Sequence, residues 1–157
     1  MYEDVRMIVE VSIHSFSLWH HFANKVDFDA IDFTNLARSM GYQGISLSLN
    51  DINYRHLGGR GDDRMDRLSR HLKSYEMKLE VDTSNTTPVH MSEMLKVANR
   101  MGATSLRTYT HYRGDLDQMI KKTASDLKEV MDEASDLGII IVLENHEDFT
   151  GPELVKI

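Results

Sequence analysis

The chain has 157 residues, 41% of them hydrophobic and 27% charged, with a formal net charge of −7 and no cysteine. That is long enough for one domain with a sizeable core, spanning residues 1–157. It is too acidic for a general nucleic-acid or anionic-membrane binder, and disulfides and thiolate metal sites are excluded.

The start, Met1-Tyr2-Glu3-Asp4-Val5-Arg6, is acidic with no long apolar stretch behind it, so it does not read as a signal peptide. No apolar run approaches the roughly 20 residues that span a bilayer, and the expected location is the cytoplasm. Residues 7–13 predict a first strand. Residues 28–40 predict a helix, with Ile31, Leu36 and Ala37 among its apolar positions and Gly41 as its stop. A second strand is expected over 44–49, then a helix over 62–75 with Met65, Leu68 and Leu72 on one face. A third strand over 78–83 precedes a helix over 88–101, where Pro88 suits the first turn and Gly102 the C-cap. A fourth strand over 104–109 and a long helix over 115–137 follow. The solid aliphatic run Ile139-Ile140-Ile141-Val142-Leu143 predicts a fifth strand, buried on both faces as parallel strands are. A last helix is expected near Pro152, and the ten methionines read as core filler.

Strand starts recur at intervals of about 26 to 37 residues, the size of a βα unit. Repeated units of one kind mean a parallel sheet with right-handed crossovers. An open doubly wound sheet and a (β/α)₈ barrel both fit. A nucleotide-binding open sheet should carry a glycine-rich loop after its first strand, but Ser12-Ile13-His14-Ser15-Phe16-Ser17-Leu18-Trp19 has no glycine. The glycine-rich turn Gly58-Gly59-Arg60-Gly61 follows the second strand, lacks a lysine-serine/threonine ending, and reads more readily as a mobile loop than as a phosphate site.

Three segments resemble the xylose-isomerase-like TIM barrel superfamily of sugar-phosphate isomerases and epimerases, which includes apurinic-site endonucleases. They are Ala37-Arg38-Ser39-Met40-Gly41-Tyr42-Gln43-Gly44-Ile45, Ala98-Asn99-Arg100-Met101-Gly102-Ala103-Thr104-Ser105-Leu106-Arg107 and, most specifically, Leu137-Gly138-Ile139-Ile140-Ile141-Val142-Leu143-Glu144-Asn145-His146. The resemblance implies an α/β fold, a parallel TIM-barrel-like domain, incomplete, with about five of eight βα units. It implies metal-dependent isomerisation or epimerisation of a sugar or sugar phosphate by proton transfer next to a carbonyl. Glu144 matches the strand-five metal ligand of that family, for Mn²⁺, Mg²⁺, Co²⁺ or Zn²⁺. The other ligands usually come from strands six to eight, so the ligand set is incomplete here and the chain is expected to be truncated and inactive by itself. Two alternatives stay open: a non-catalytic half-barrel that binds a partner, and a metal-dependent hydrolase of the endonuclease type. Unpaired edge strands predict a homo-oligomer or pairing with a missing C-terminal half.

Around Glu144, His146 falls on the same side if the strand persists and is a candidate substrate contact, while Asn145 and Glu147 would face the helix layer. Asp148 and Thr150 are candidate helix caps. Arg107 faces either a substrate or a carboxylate such as Glu80 or Asp82, because a buried strand rarely carries arginine without a partner. His14 ends the first strand and His111 follows the fourth; both are candidate substrate contacts. The third strand offers His111 no histidine partner, and the second strand, Ser46-Leu47-Ser48-Leu49-Asn50, lacks the carboxylate often found there in the family. Trp19-His20-His21-Phe22 reads as a loop able to line an apolar sugar face.

Overall fold

A computed structural model describes residues 10–157. The part of the first expected strand before residue 10 lies outside the described residues. The elements alternate as β1 (Ser12–His14), α1 (Trp19–Asn24), α2 (Ala30–Ser39), β2 (Gly44–Ser48), α3 (Asp62–Ser74), β3 (Lys78–Asp82), α4 (Pro88–Met101), β4 (Ser105–Thr108), α5 (Leu116–Asp136), β5 (Ile140–Leu143) and α6 (Gly151–Leu154).

Local chemistry explains the boundaries. Asp29 caps α2 by accepting from the amides of Ile31 and Asp32, and Asp32 returns the bond, which satisfies amides that no helical carbonyl can reach. Pro88 opens α4 and Gly102, at φ 78°, closes it in the left-handed region that a Cβ disfavours. Asp115 caps α5 through the amide of Gln118. Two short elements, a 3₁₀ turn over Ser15–Leu18 and α1, replace the loop expected around Trp19. Their signal is one apolar anchor: Phe22 is buried and packs edge-on against Phe28 at 4.9 Å and Phe33 at 5.7 Å.

The five strands among the described residues are all parallel and pair in the order β1-β2-β3-β4-β5. A doubly wound sheet would reverse direction at a switch point; here neighbours in sequence are neighbours in space throughout. Helices α2 to α5 pack each against the next, and α2, α4 and α5 pack against the strands. The core lies between that helix layer and one face of the sheet. Ile45, Leu47, Leu79, Val81 and Leu106 supply the strand side, and Phe33, Leu68, Met91, Leu95 and Ala98 the helix side.

The other face of the sheet is polar. Parallel pairing in register aligns His14, Ser46, Glu80, Ser105 and Ile140 in one row, and Ser48, Asp82, Arg107 and Val142 in the next. The barrel interiors of this class are usually filled by layers of branched apolar side chains; here carboxylates, hydroxyls and a guanidinium take those places. One expectation fails here. β5 is not buried on both faces, because it is the edge strand among the described residues: Ile140 is 68% exposed and Val142 is also open to solvent. Ile141 packs against the core on the opposite face.

Candidate functional site

The polar face carries a cavity of about 680 Å³, within the range of small-molecule pockets. β1 contributes Ser12 and His14, with Phe16 just beyond it. β2 contributes Ser46, with Asn50 just beyond it. β3 contributes Glu80 and Asp82, β4 contributes Arg107 with Tyr109 after it, and Glu144 and His146 follow β5. The cavity therefore sits at the carboxyl ends of the strands, where parallel α/β folds hold ligands.

Arg107 is its centre. Nη1 donates to Glu144 Oε2 at 2.7 Å. Nη2 lies 3.3 Å from Asp82 Oδ1, and Nε lies 3.4 Å from Glu80 Oε1. The Glu144 contact is a hydrogen bond; the other two are charge contacts, and Nε has no hydrogen-bond partner. Glu80 and Asp82 have further partners. Ser46 Oγ donates to Glu80 Oε1 at 2.7 Å. Asn50 Nδ2 donates to Asp82 Oδ2 at 3.1 Å, and His14 Nε2 stands 3.4 Å from the same oxygen. Asp82 is buried, so these contacts offset the cost of holding its charge away from water.

Two aromatic stacks flank this floor. His14 lies on Phe16 with centroids 5.4 Å apart and planes at 17°. Tyr109 lies on His146 at 4.3 Å and 13°. A flat ring at each side and hydrogen-bonding groups below suit a ligand with C–H faces and many hydroxyls.

A second network fixes the wall. Ser48 N–H donates to Ser15 Oγ at 3.0 Å, and that hydroxyl meets His56 Nδ1 at 2.9 Å. His56 stacks on Phe22 at 4.2 Å, and its burial pushes the imidazole down to about 4. The neutral ring thus ties the segments after β1 and β2 together. An isolated histidine in a loop carries no periodic signal, so this role of His56 is not legible in the sequence.

Of the residues singled out from sequence, Glu144, His146, Arg107 and His14 line one cavity. His111 does not. β4 ends at Thr108, and His111 is exposed, packing on Tyr109 with centroids 5.1 Å apart. β5 ends at Leu143, so Asn145 and Glu147 are exposed instead of facing the helix layer. Thr150, with Glu153, forms the capping box of α6; Asp148 takes no part. Trp19, His20 and His21 do not line the cavity, since they belong to α1. Both partners considered for Arg107, Glu80 and Asp82, are used at once, together with Glu144. Glu80 and Asp82 as pocket residues were missed, although their period-two spacing with Ser46, Ser48 and Arg107 in register carries the signal. The amides of Gly58 and Gly59 both donate to Tyr54 O, at 3.0 and 3.1 Å, so neither is turned towards a phosphate.

The donor set does not by itself fit a divalent ion. Among the described residues no group of three or more histidines and carboxylates could hold one, and the Glu144 carboxylate already faces a guanidinium.

No family model matches the chain. It is 25% identical over 126 residues to the uncharacterized protein YihM of Escherichia coli K12, covering 80% of this chain and 39% of that one. Solved structures similar to it include D-psicose 3-epimerase in the presence of D-fructose, with TM-score 0.68, 11% identity, and coverage of 90% of this chain and 55% of that one. The IolI protein with a bound zinc atom gives 0.65 at 13% identity, covering 86% and 51%. A D-tagatose 3-epimerase-like protein gives 0.66 at 15%, covering 95% and 60%. These neighbours are xylose isomerase-like TIM barrels, and the five parallel strands have the fold of a partial barrel of that kind. The chain spans about two fifths of the YihM length and between about half and three fifths of each barrel.

Proposed function

We propose that this chain, folded as five βα units of a xylose isomerase-like TIM barrel, forms the sugar pocket of an isomerase or epimerase. The reaction moves a proton next to a carbonyl. The observation that carries the reading is the cavity itself: a floor of three carboxylates and a guanidinium at the strand ends, between two aromatic stacks. Similar solved structures include D-psicose 3-epimerase and a D-tagatose 3-epimerase-like protein.

In this proposal Glu144 is the carboxylate nearest the reacting carbon. His14 and His146 contact hydroxyls, and the rings of Phe16 and Tyr109 take the sugar's C–H faces. The metal-ligand set that the family resemblance implies is incomplete in these 157 residues, so in this proposal they bind sugar without turning it over. A divalent ion would take Glu144 as one oxygen donor, but among the described residues no group of three or more histidines and carboxylates completes a site, and no step is routed through it.

The test is NMR of D-fructose in D₂O with the chain present. Saturation transfer to the sugar, without deuterium entering next to the carbonyl, is expected. No transfer would refute the sugar pocket. Exchange that disappears in Glu144→Gln would refute inactivity and make the chain an enzyme.

One observation favours a second reading, a module that pairs with another chain or segment. The edge strand β5 exposes Ile140 and Val142, and beside it Leu127, Met131, Leu143, Leu154 and Ile157 line an apolar groove. Light scattering after size exclusion tests this, with a dimer or larger assembly expected and a monomer at high concentration refuting self-association.

A further inference from the structure

The charge balance of the cavity points to a class of sugar. Arg107 is the only arginine or lysine among the described residues lining it, against Glu80, Asp82 and Glu144. One positive charge against three negative ones leaves a formal excess of two negative charges. That guanidinium is within 3.4 Å of all three carboxylates, so its field is already spent. A phosphate is normally bound by free guanidinium or ammonium groups, or by backbone amides left open. The arginines Arg55, Arg64 and Arg67 line a separate cavity that shares no residue with this one.

We propose that this pocket admits uncharged sugars and rejects phosphorylated or carboxylated ones, a selectivity that rests on the sugar-pocket reading above. The three carboxylates accept hydrogen bonds from hydroxyl groups, which is favourable for a polyol and impossible for a deprotonated phosphate oxygen. A dianionic group in a partly enclosed cavity with surplus negative charge meets repulsion that water screens only in part. The aromatic stacks are neutral in this respect: they hold the C–H faces of either ligand equally. Charge at the floor is therefore the discriminating element, and Glu80, which takes no part in the Arg107–Glu144 hydrogen bond, is the position chosen to alter it.

The experiment compares D-fructose with D-fructose 6-phosphate by NMR titration of the full chain at low salt. D-fructose is expected to bind at least tenfold more tightly. In Glu80→Gln the ratio should fall severalfold, and raising salt from about 0.01 M to about 1 M should narrow it in the unmodified chain, since the Debye length shrinks from roughly 30 Å to roughly 3 Å. The salt series stands whether or not the variant folds. Equal or tighter binding of the phosphate overturns the selectivity and leaves the sugar pocket standing. Binding of neither overturns the pocket and the selectivity with it. A tenfold preference that neither salt nor Glu80→Gln alters overturns charge as its cause.

Discussion

Replacing Arg107 by methionine keeps most of the aliphatic stem and removes the charge that three carboxylates share. The side chain is 23% exposed, and its partners Asp82, Glu80 and Glu144 are 4%, 29% and 31% exposed. Breaking a fully buried pair by removing one partner costs about 3–5 kcal/mol. Water reaches Glu80 and Glu144, so only Asp82 carries the full penalty, and a loss of about 3 kcal/mol is expected for the cluster. Against the roughly 5–15 kcal/mol of a typical domain that is a large fraction. With a urea slope of about 2 kcal/mol/M, the unfolding midpoint followed by circular dichroism should fall by about 1.5 M. Adding Asp82→Asn should recover about 1 kcal/mol or more, because it removes the most buried of the uncompensated charges. A midpoint for Arg107→Met within about 0.2 M of the unmodified chain would refute the view that the cluster depends on this guanidinium. So would a double variant no more stable than the single one.

Other expectations follow from the same geometry. A Cβ at Gly44 would stand 2.9 Å from the carbonyl oxygen of Lys78 in the neighbouring strand, so Gly44→Ala should cost about 2 kcal/mol; unchanged thermal unfolding would contradict this. His56 has a folded value of about 4 against the ordinary 6.5, so the unfolded chain binds more protons between those limits. Its contribution is fully present above about pH 6.5 and is lost as pH falls towards 4. Allowing for water at a half-buried ring, it amounts to about 1–2 kcal/mol. His56→Phe should flatten stability over that window, and an unchanged pH profile would refute the assignment. Calorimetric titration with Mn²⁺ should show no micromolar site in the unmodified chain, while Arg107→Ala should gain cation affinity by freeing the carboxylates. A stoichiometric micromolar site in the unmodified chain would contradict the fit described above.

The helices were the most legible part of the sequence because their signals are local. Proline at Pro88, glycine at Gly102 and Gly138, and apolar spacing in α3 each act within one or two turns, and α4 matches its expected range. The sheet order was legible only as a consequence of repeated βα units. The character of β5 was not legible: Ile140 and Val142 read as buried because residue type reports hydrophobicity and not which neighbours exist to cover it. The site shows the same division. Glu144, His146, Arg107 and His14 could be selected as strand-end residues of reactive type. That Arg107 reaches Glu80, Asp82 and Glu144 together depends on the register of three strands, which brings to it residues 25, 27 and 37 positions away. His111 falls outside the cavity, since β4 ends at Thr108, three residues before it.

The central claim is that the polar face of this sheet is a sugar site. The most direct measurement is a ¹⁵N–¹H NMR map of the chain titrated with D-fructose. Shifts are predicted for the residues around His14, Asn50, Asp82, Arg107, Tyr109 and Glu144, and for few elsewhere. Shifts confined to the apolar groove of Leu127, Met131 and Leu154, or no shifts at saturating sugar, would contradict the account.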